Sequence, residues 1–160
     1  MLRKQIIKAT PANSVPQPGD IDVAAVATVQ VTSEAPDHPI DFAFDPHRGP
    51  GSNRWIAGEP GEQTLILVFD APQTIRHVLL EVEEPEVPRT QELQLSLSRD
   101  GGKTYRELLR QEYNFNPPTT TFEREDWAVM ADSVTHLRLV IKPDKGDKPC
   151  LATITSLVLR

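Results

Sequence analysis

Proline and glycine interrupt this chain too often for long helices. Fifteen prolines and eight glycines are spread over 160 residues, and an interior proline removes a backbone donor and clashes with the preceding helical turn. Between the breaks, apolar residues recur with period two. Leu93, Leu95 and Leu97 alternate with Gln94, Ser96 and Ser98, and Leu137, Leu139 and Ile141 with His136, Arg138 and Val140. Leu80 and Val82 are set against Glu81 and Glu83. Each pattern predicts a strand with one wet face, so the acidic run EVEEPE (81–86) reads as a solvated face. TLILVFD (64–70) is apolar on both faces and reads as a central strand. AVATVQVTS and LATITSLVLR predict strands near the two ends. Ile154 and Leu157 break the period, which places a bulge at Thr155 or Ser156. In YRELLRQEY, Leu108 and Leu109 suit a helix, whereas Tyr105, Leu109, Tyr113 and Phe115 share strand parity; its position after a turn favours a strand. About eight short strands separated by turn signals predict an all-β antiparallel sandwich.

The chain is long enough for one domain with a real core. We read residues 1–22 as an N-terminal lead-in arm, Pro-rich from Ala9 to Asp20, and 23–160 as a single ligand-binding sandwich. A net charge of −6 and a pI near 5.2 argue against a general nucleic-acid binder, which needs a basic face for phosphate contacts, and no nucleic-acid partner is expected. The one cysteine, Cys150, permits no intrachain disulfide and no thiolate metal cluster. MLRKQIIKATPAN has only Ile6 and Ile7 as an apolar pair, against the run of about 7 to 15 that a secretory signal needs. No stretch approaches the roughly 20 apolar residues of a membrane span. The expectation is a cytoplasmic chain with no membrane partner.

One short segment carries a recognisable motif. In SLSRDGGKTYREL, Ser98, Asp100, Gly102, Thr104 and Tyr105 match the Asp-box of sialidases. Sialidases repeat that box around a propeller, and this chain has one copy and too few residues for six four-stranded blades. It predicts a hairpin turn, with Asp100 capping amides and Gly101 or Gly102 at positive φ.

The same hairpin, taken with its flanks, resembles the discoidin-like or galactose-binding-like domains, which include coagulation-factor C domains and many carbohydrate-binding modules. FAFDPHRGPGSNRW is similar to that family's Ala-x-Asp-Gly…Thr-x-Trp loop, and QTLILVFDAPQTIRHVLLEV to its following strand pair. HLRLVIKP resembles tyr-ile-arg-ile, and ATITSLVL the closing strand. The resemblance covers about residues 23–159 and implies a jelly-roll β-sandwich.

From 34 to 63 runs a long connection broken by five prolines, and connections of that length are often functional. Within it, DPHRGPGSNRW (45–55) gathers His47, Arg48, Asn53, Arg54 and Trp55. Planar polar groups there can bind vicinal hydroxyls, and the indole of Trp55, or of Trp127, can offer a face for C–H packing. The resemblance places this loop at the ligand end of the sandwich, and it equally allows Trp55 a core position. It also implies a calcium ion beside the loop with Asp45 as a ligand. Two departures bear on that: Pro46 stands where the family has glycine, and Ser156 where it has a closing glutamate. No other cofactor is expected. No catalytic set emerges, since His38, His47, His77 and His136 form no metal-binding pair and Cys150 has no assigned base. The first expectation is a non-catalytic module for a carbohydrate or other polyhydroxylated ligand. The alternative is an intracellular protein-interaction scaffold of the same fold. A hydrolase fragment, resting on the lone Asp-box, ranks last.

Overall fold

The computed structural model describes residues 3, 5 and 19–160. The lead-in expected over 1–22 therefore falls mostly outside the described residues; Gly19 to Asp22 lead into a single helical turn, Val23–Val26. Eight strands follow: β1 Ala27–Val31, β2 Trp55–Ile56, β3 Gln63–Glu83, β4 Arg89–Ser98, β5 Arg106–Phe115, β6 Phe122–Lys142, β7 Thr153–Ile154 and β8 Ser156–Leu159. All pairings between them are antiparallel.

Two strands of 21 residues, β3 and β6, organise the molecule. Their first and last portions pair with each other in opposite order, and the register shifts between Val68 and His77. The first part of β3 lies between β1 and the last part of β6, which continues to β4 and β5. The second part of β3 lies between β8 and the first part of β6. Irregularities of this kind bend a strand sharply, and here they let β3 and β6 serve both layers. Pro72 and Ser133, the latter at φ 54°, sit at the break.

The alternating residues meet in one core. Leu65, Leu67, Leu93, Leu95, Leu97, Leu137, Leu139 and Ile141 join Ile75, Val78, Leu80, Val82, Leu157 and Leu159. Each such side chain contributes roughly 2 kcal/mol by leaving water. TLILVFD is central, as its composition predicts, though Thr64, Ile66 and Val68 on its second face are only partly covered. YRELLRQEY forms strand β5 from Arg106 onward. The break at Thr155 is a change of partner rather than a bulge within one ladder: β7 pairs with β2, and β8 pairs with β3. Arg89 is fully buried and ties one end together, donating to Glu84, Gln91, the Pro143 carbonyl and Thr153.

Candidate functional site

The connection 34–63 is less irregular than its prolines suggest. It contains a 3-10 turn, Ile40–Ala43, and the short strand β2. Between them the segment 45–52 is strapped onto the second half of β3. Gly49 and Gly51 sit at φ 88° and 82°, a region that penalises any residue with a Cβ. There the Gly49 N–H donates to both Glu81 carboxylate oxygens at 3.0 and 3.3 Å, and the Gly51 N–H to Glu83 at 3.0 Å. Arg124, across the ladder from Glu81, donates to it at 2.8 and 3.2 Å. The Ser52 hydroxyl closes the turn on the Arg48 carbonyl at 2.7 Å. This corrects the reading of EVEEPE as a solvated face. Glu81 is only 3% exposed, because the glycine turn lies over it and supplies the hydrogen bonds that a buried carboxylate needs.

Beside the strap is a hollow of about 280 Å³, lined by residues 20–23, 44–46, Arg48, Leu157 and Val158. Its walls carry Asp45 and Arg48, and Phe44, Val23, Leu157 and Val158 supply apolar surface. Arg48 donates to Asp20 at 3.4 Å, and Arg160 donates to the other Asp20 oxygen at 2.5 Å. The Arg48 Nε is buried with no hydrogen-bond partner. Asp45 accepts the His47 N–H at 2.9 Å, and burial raises its pKa. The His47 ring is exposed, with Nδ1 3.8 Å from Asp45.

The structure thus brings Asp45, His47 and Arg48 together and separates them from the rest of the predicted set. Asn53 is exposed, and Arg54 is half-buried, its carbonyl 3.1 Å from Nδ1 of His38. Neither lines the hollow. Trp55 is corrected outright as a ligand platform. It is 1% exposed, pairs with Ile154, and donates its indole N–H to the Ser33 carbonyl at 3.0 Å. Trp127 lies half-buried on β6, away from this hollow. Asp20, Phe44 and Val158, which do line it, come from separate segments and share no local sequence signal.

Calcium does not suit these residues. Among the described residues no group of three or more His, Cys, Asp or Glu side chains comes together to hold a metal ion. The strap turns amide N–H groups, not carbonyls, toward β3, and they meet carboxylates that are already occupied. Ser156, paired with Glu81, is buried and its hydroxyl has no partner. A hard cation wants six to eight oxygens, and here the guanidinium of Arg48 occupies the wall instead.

The Ser98–Thr104 turn has its own closed geometry. Asp100 accepts from Ser98 at 2.7 Å and from the Thr104 N–H at 2.9 Å, while Gly101 and Gly102 take φ 77° and 85°. The bonds from Ser98 and Thr104 hold the Asp100 carboxyl well below the usual carboxylate range. A Cβ on Gly102 would come within 3.2 Å of the His136 ring. Both Asp100 carboxylate oxygens accept from Ser98 or Thr104 of the turn itself.

No protein-family profile and no curated protein matches the chain. Solved structures do. A family 32 carbohydrate-binding module (CBM32-3) of a family 31 glycoside hydrolase from Clostridium perfringens superposes with a TM-score of 0.65 at 14% identity, covering 94% of this chain and 98% of its own. The family 32 module of C. perfringens NanJ, solved with galactose, gives 0.61 at 12% identity, covering 88% and 96%. The C. perfringens module CpGH89CBM32-5, solved with GalNAc-β-1,3-galactose, gives 0.60 at 18%, covering 88% and 99%. These likenesses span the sandwich from end to end, and the chain has the galactose-binding-like, discoidin-type jelly-roll fold.

Proposed function

We propose that this chain is a non-catalytic carbohydrate-binding module that seats one sugar ring in the hollow between residues 20–23, the 44–48 segment and β8. The observation that carries the reading is the hollow itself, set in a fold shared with modules whose structures hold galactose and a GalNAc disaccharide. Asp45 offers carboxylate oxygens to hydroxyl donors, and Arg48 offers N–H groups to hydroxyl acceptors. Phe44, Leu157 and Val158 give the C–H face of the ring an apolar floor. The volume of about 280 Å³ falls at the lower edge of ligand pockets, which matches a terminal residue better than an extended polymer.

Calorimetric titration with galactose, N-acetylgalactosamine and their β-linked disaccharide tests this. Binding that Arg48→Ala weakens by about tenfold or more supports the site. Absence of binding across neutral and acidic sugars, or binding unmoved by Arg48→Ala, removes it.

A further inference from the structure

A second site is written on β6. Glu123, Glu125 and Trp127 stand opposite Val82, Leu80 and Val78 of β3. Directly paired residues share a face of the sheet, and those three partners are each 1% exposed. The two glutamates therefore point toward the sandwich interior. Over this stretch β6 has β3 on one side only, since β4 pairs with residues 136–142. The carboxylates thus stand at an open flank between the two layers.

Across the flank is Tyr113 of β5, an edge strand of the other layer. Tyr113 is 4% exposed, and its hydroxyl is buried without a hydrogen-bond partner. The charges of Glu125 and Glu123 reach it, adding to burial in keeping the phenol protonated. Burial and then Glu125 raise the pKa of Glu123. The indole N–H of Trp127 is also buried and unpartnered. Among the described residues, no hydrogen bond or ion pair satisfies either carboxylate. Buried polar groups are ordinarily paired, and like charges side by side are costly. Among the described residues the arrangement lacks a cation.

We propose that this flank binds the protonated primary amine of an unacetylated hexosamine, held between the carboxylates of Glu123 and Glu125 with the Tyr113 oxygen behind them. An ammonium group has three donors and no acceptor, which matches three oxygens. Alternate residues of a strand lie roughly 6.6 Å apart, within reach of two flexible glutamate side chains closing on one nitrogen. A divalent metal is a poorer match, because the Tyr113 phenol stays protonated and, among the described residues, no third His, Cys, Asp or Glu joins the two carboxylates. The sugar is favoured over a lysine side chain by Trp127, which continues the same face two residues beyond Glu125 and is partly exposed.

The test titrates the full chain with a glucosamine trimer, the N-acetylglucosamine trimer and a lysine-containing peptide, following the tryptophan and tyrosine signals. The glucosamine trimer is expected to bind about tenfold tighter than its acetylated counterpart and to weaken steeply with salt. Glu125→Gln is expected to remove most of that preference. Galactose carries no amine, so its binding reports the hollow, and the preference between the two trimers reports this flank: either site can fail while the other stands. Glu123→Gln, which relieves a like-charge contact, provides a second folded variant should Glu125→Gln unfold. Equal binding of the two trimers, binding unmoved by both glutamine variants, or preference for the peptide each overturns the proposal.

Discussion

Two Glu-x-Glu pairs lie one residue apart in the same ladder and meet opposite fates. Glu81 and Glu83 of β3 face outward, and Glu123 and Glu125 of β6 face inward, with Val82 opposite Glu123 and Arg124 opposite Glu81. The outward pair is covered by a turn that brings it two backbone amides, and Arg124 of β6 adds a guanidinium. Among the described residues the inward pair has no hydrogen-bonded partner, and burial raises the pKa of Glu123. Facing solvent or core therefore does not decide whether a carboxylate in this sandwich is stable. What decides it is whether donors arrive. A strand supplies none to side chains on its faces, because its own amides are spent within the ladder. A glycine turn with two left-handed residues does supply them, and only one of the two pairs has such a turn.

The largest expected effect is at the covered pair. Glu81→Ala leaves the Gly49 N–H and the Arg124 guanidinium without their acceptor, and should cost about 3 kcal/mol in urea unfolding. A loss below about 1 kcal/mol would show that the strap rests on something else. Next is Gly49→Ala. No atom lies within 4 Å of the added Cβ, so the cost is conformational alone, about 1 to 2 kcal/mol. A neutral result would mean that the turn can reach Glu81 through another backbone path.

The smallest effect is at the uncovered pair, and it has the opposite sign. The folded state raises the Glu123 pKa, so it favours the proton more than the unfolded chain does. Stability from this group is full below the unfolded value near 4.3 and declines as pH rises through the folded value. Glu123→Gln removes that decline. It should raise the thermal midpoint at pH 7 by the equivalent of less than about 1 kcal/mol, since the group is largely screened by water. The gain should vanish near pH 4. A loss at pH 7 would mean that Glu123 has a partner cation after all.

The layered architecture was readable from the residues because period-two alternation reports one buried face directly. Leu93, Leu95, Leu97 and Leu137, Leu139, Ile141 are all core. The same rule misplaced Glu81, since alternation states which face a residue takes and says nothing of what later lies over that face. Trp55 misled for a related reason. Its neighbours His47, Arg48 and Asn53 are polar, yet β2 turns the ring inward to pair against β7. The hollow draws on residues 20–23, 44–46, Arg48 and 157–158, the last of them more than a hundred residues along the chain from the others, and no local pattern links them. The fully buried Arg89 was equally silent, because its four partners come from β4, the turn before it and two later segments.

The two long strands carry one more implication. Since β3 and β6 each pass through both halves of the sandwich, no cleavage plane separates those halves without severing two continuous backbones. The molecule cannot shed one sheet and keep the other. A pull applied at the glycine strap and a load placed at the acidic flank are borne by adjacent rungs of one ladder.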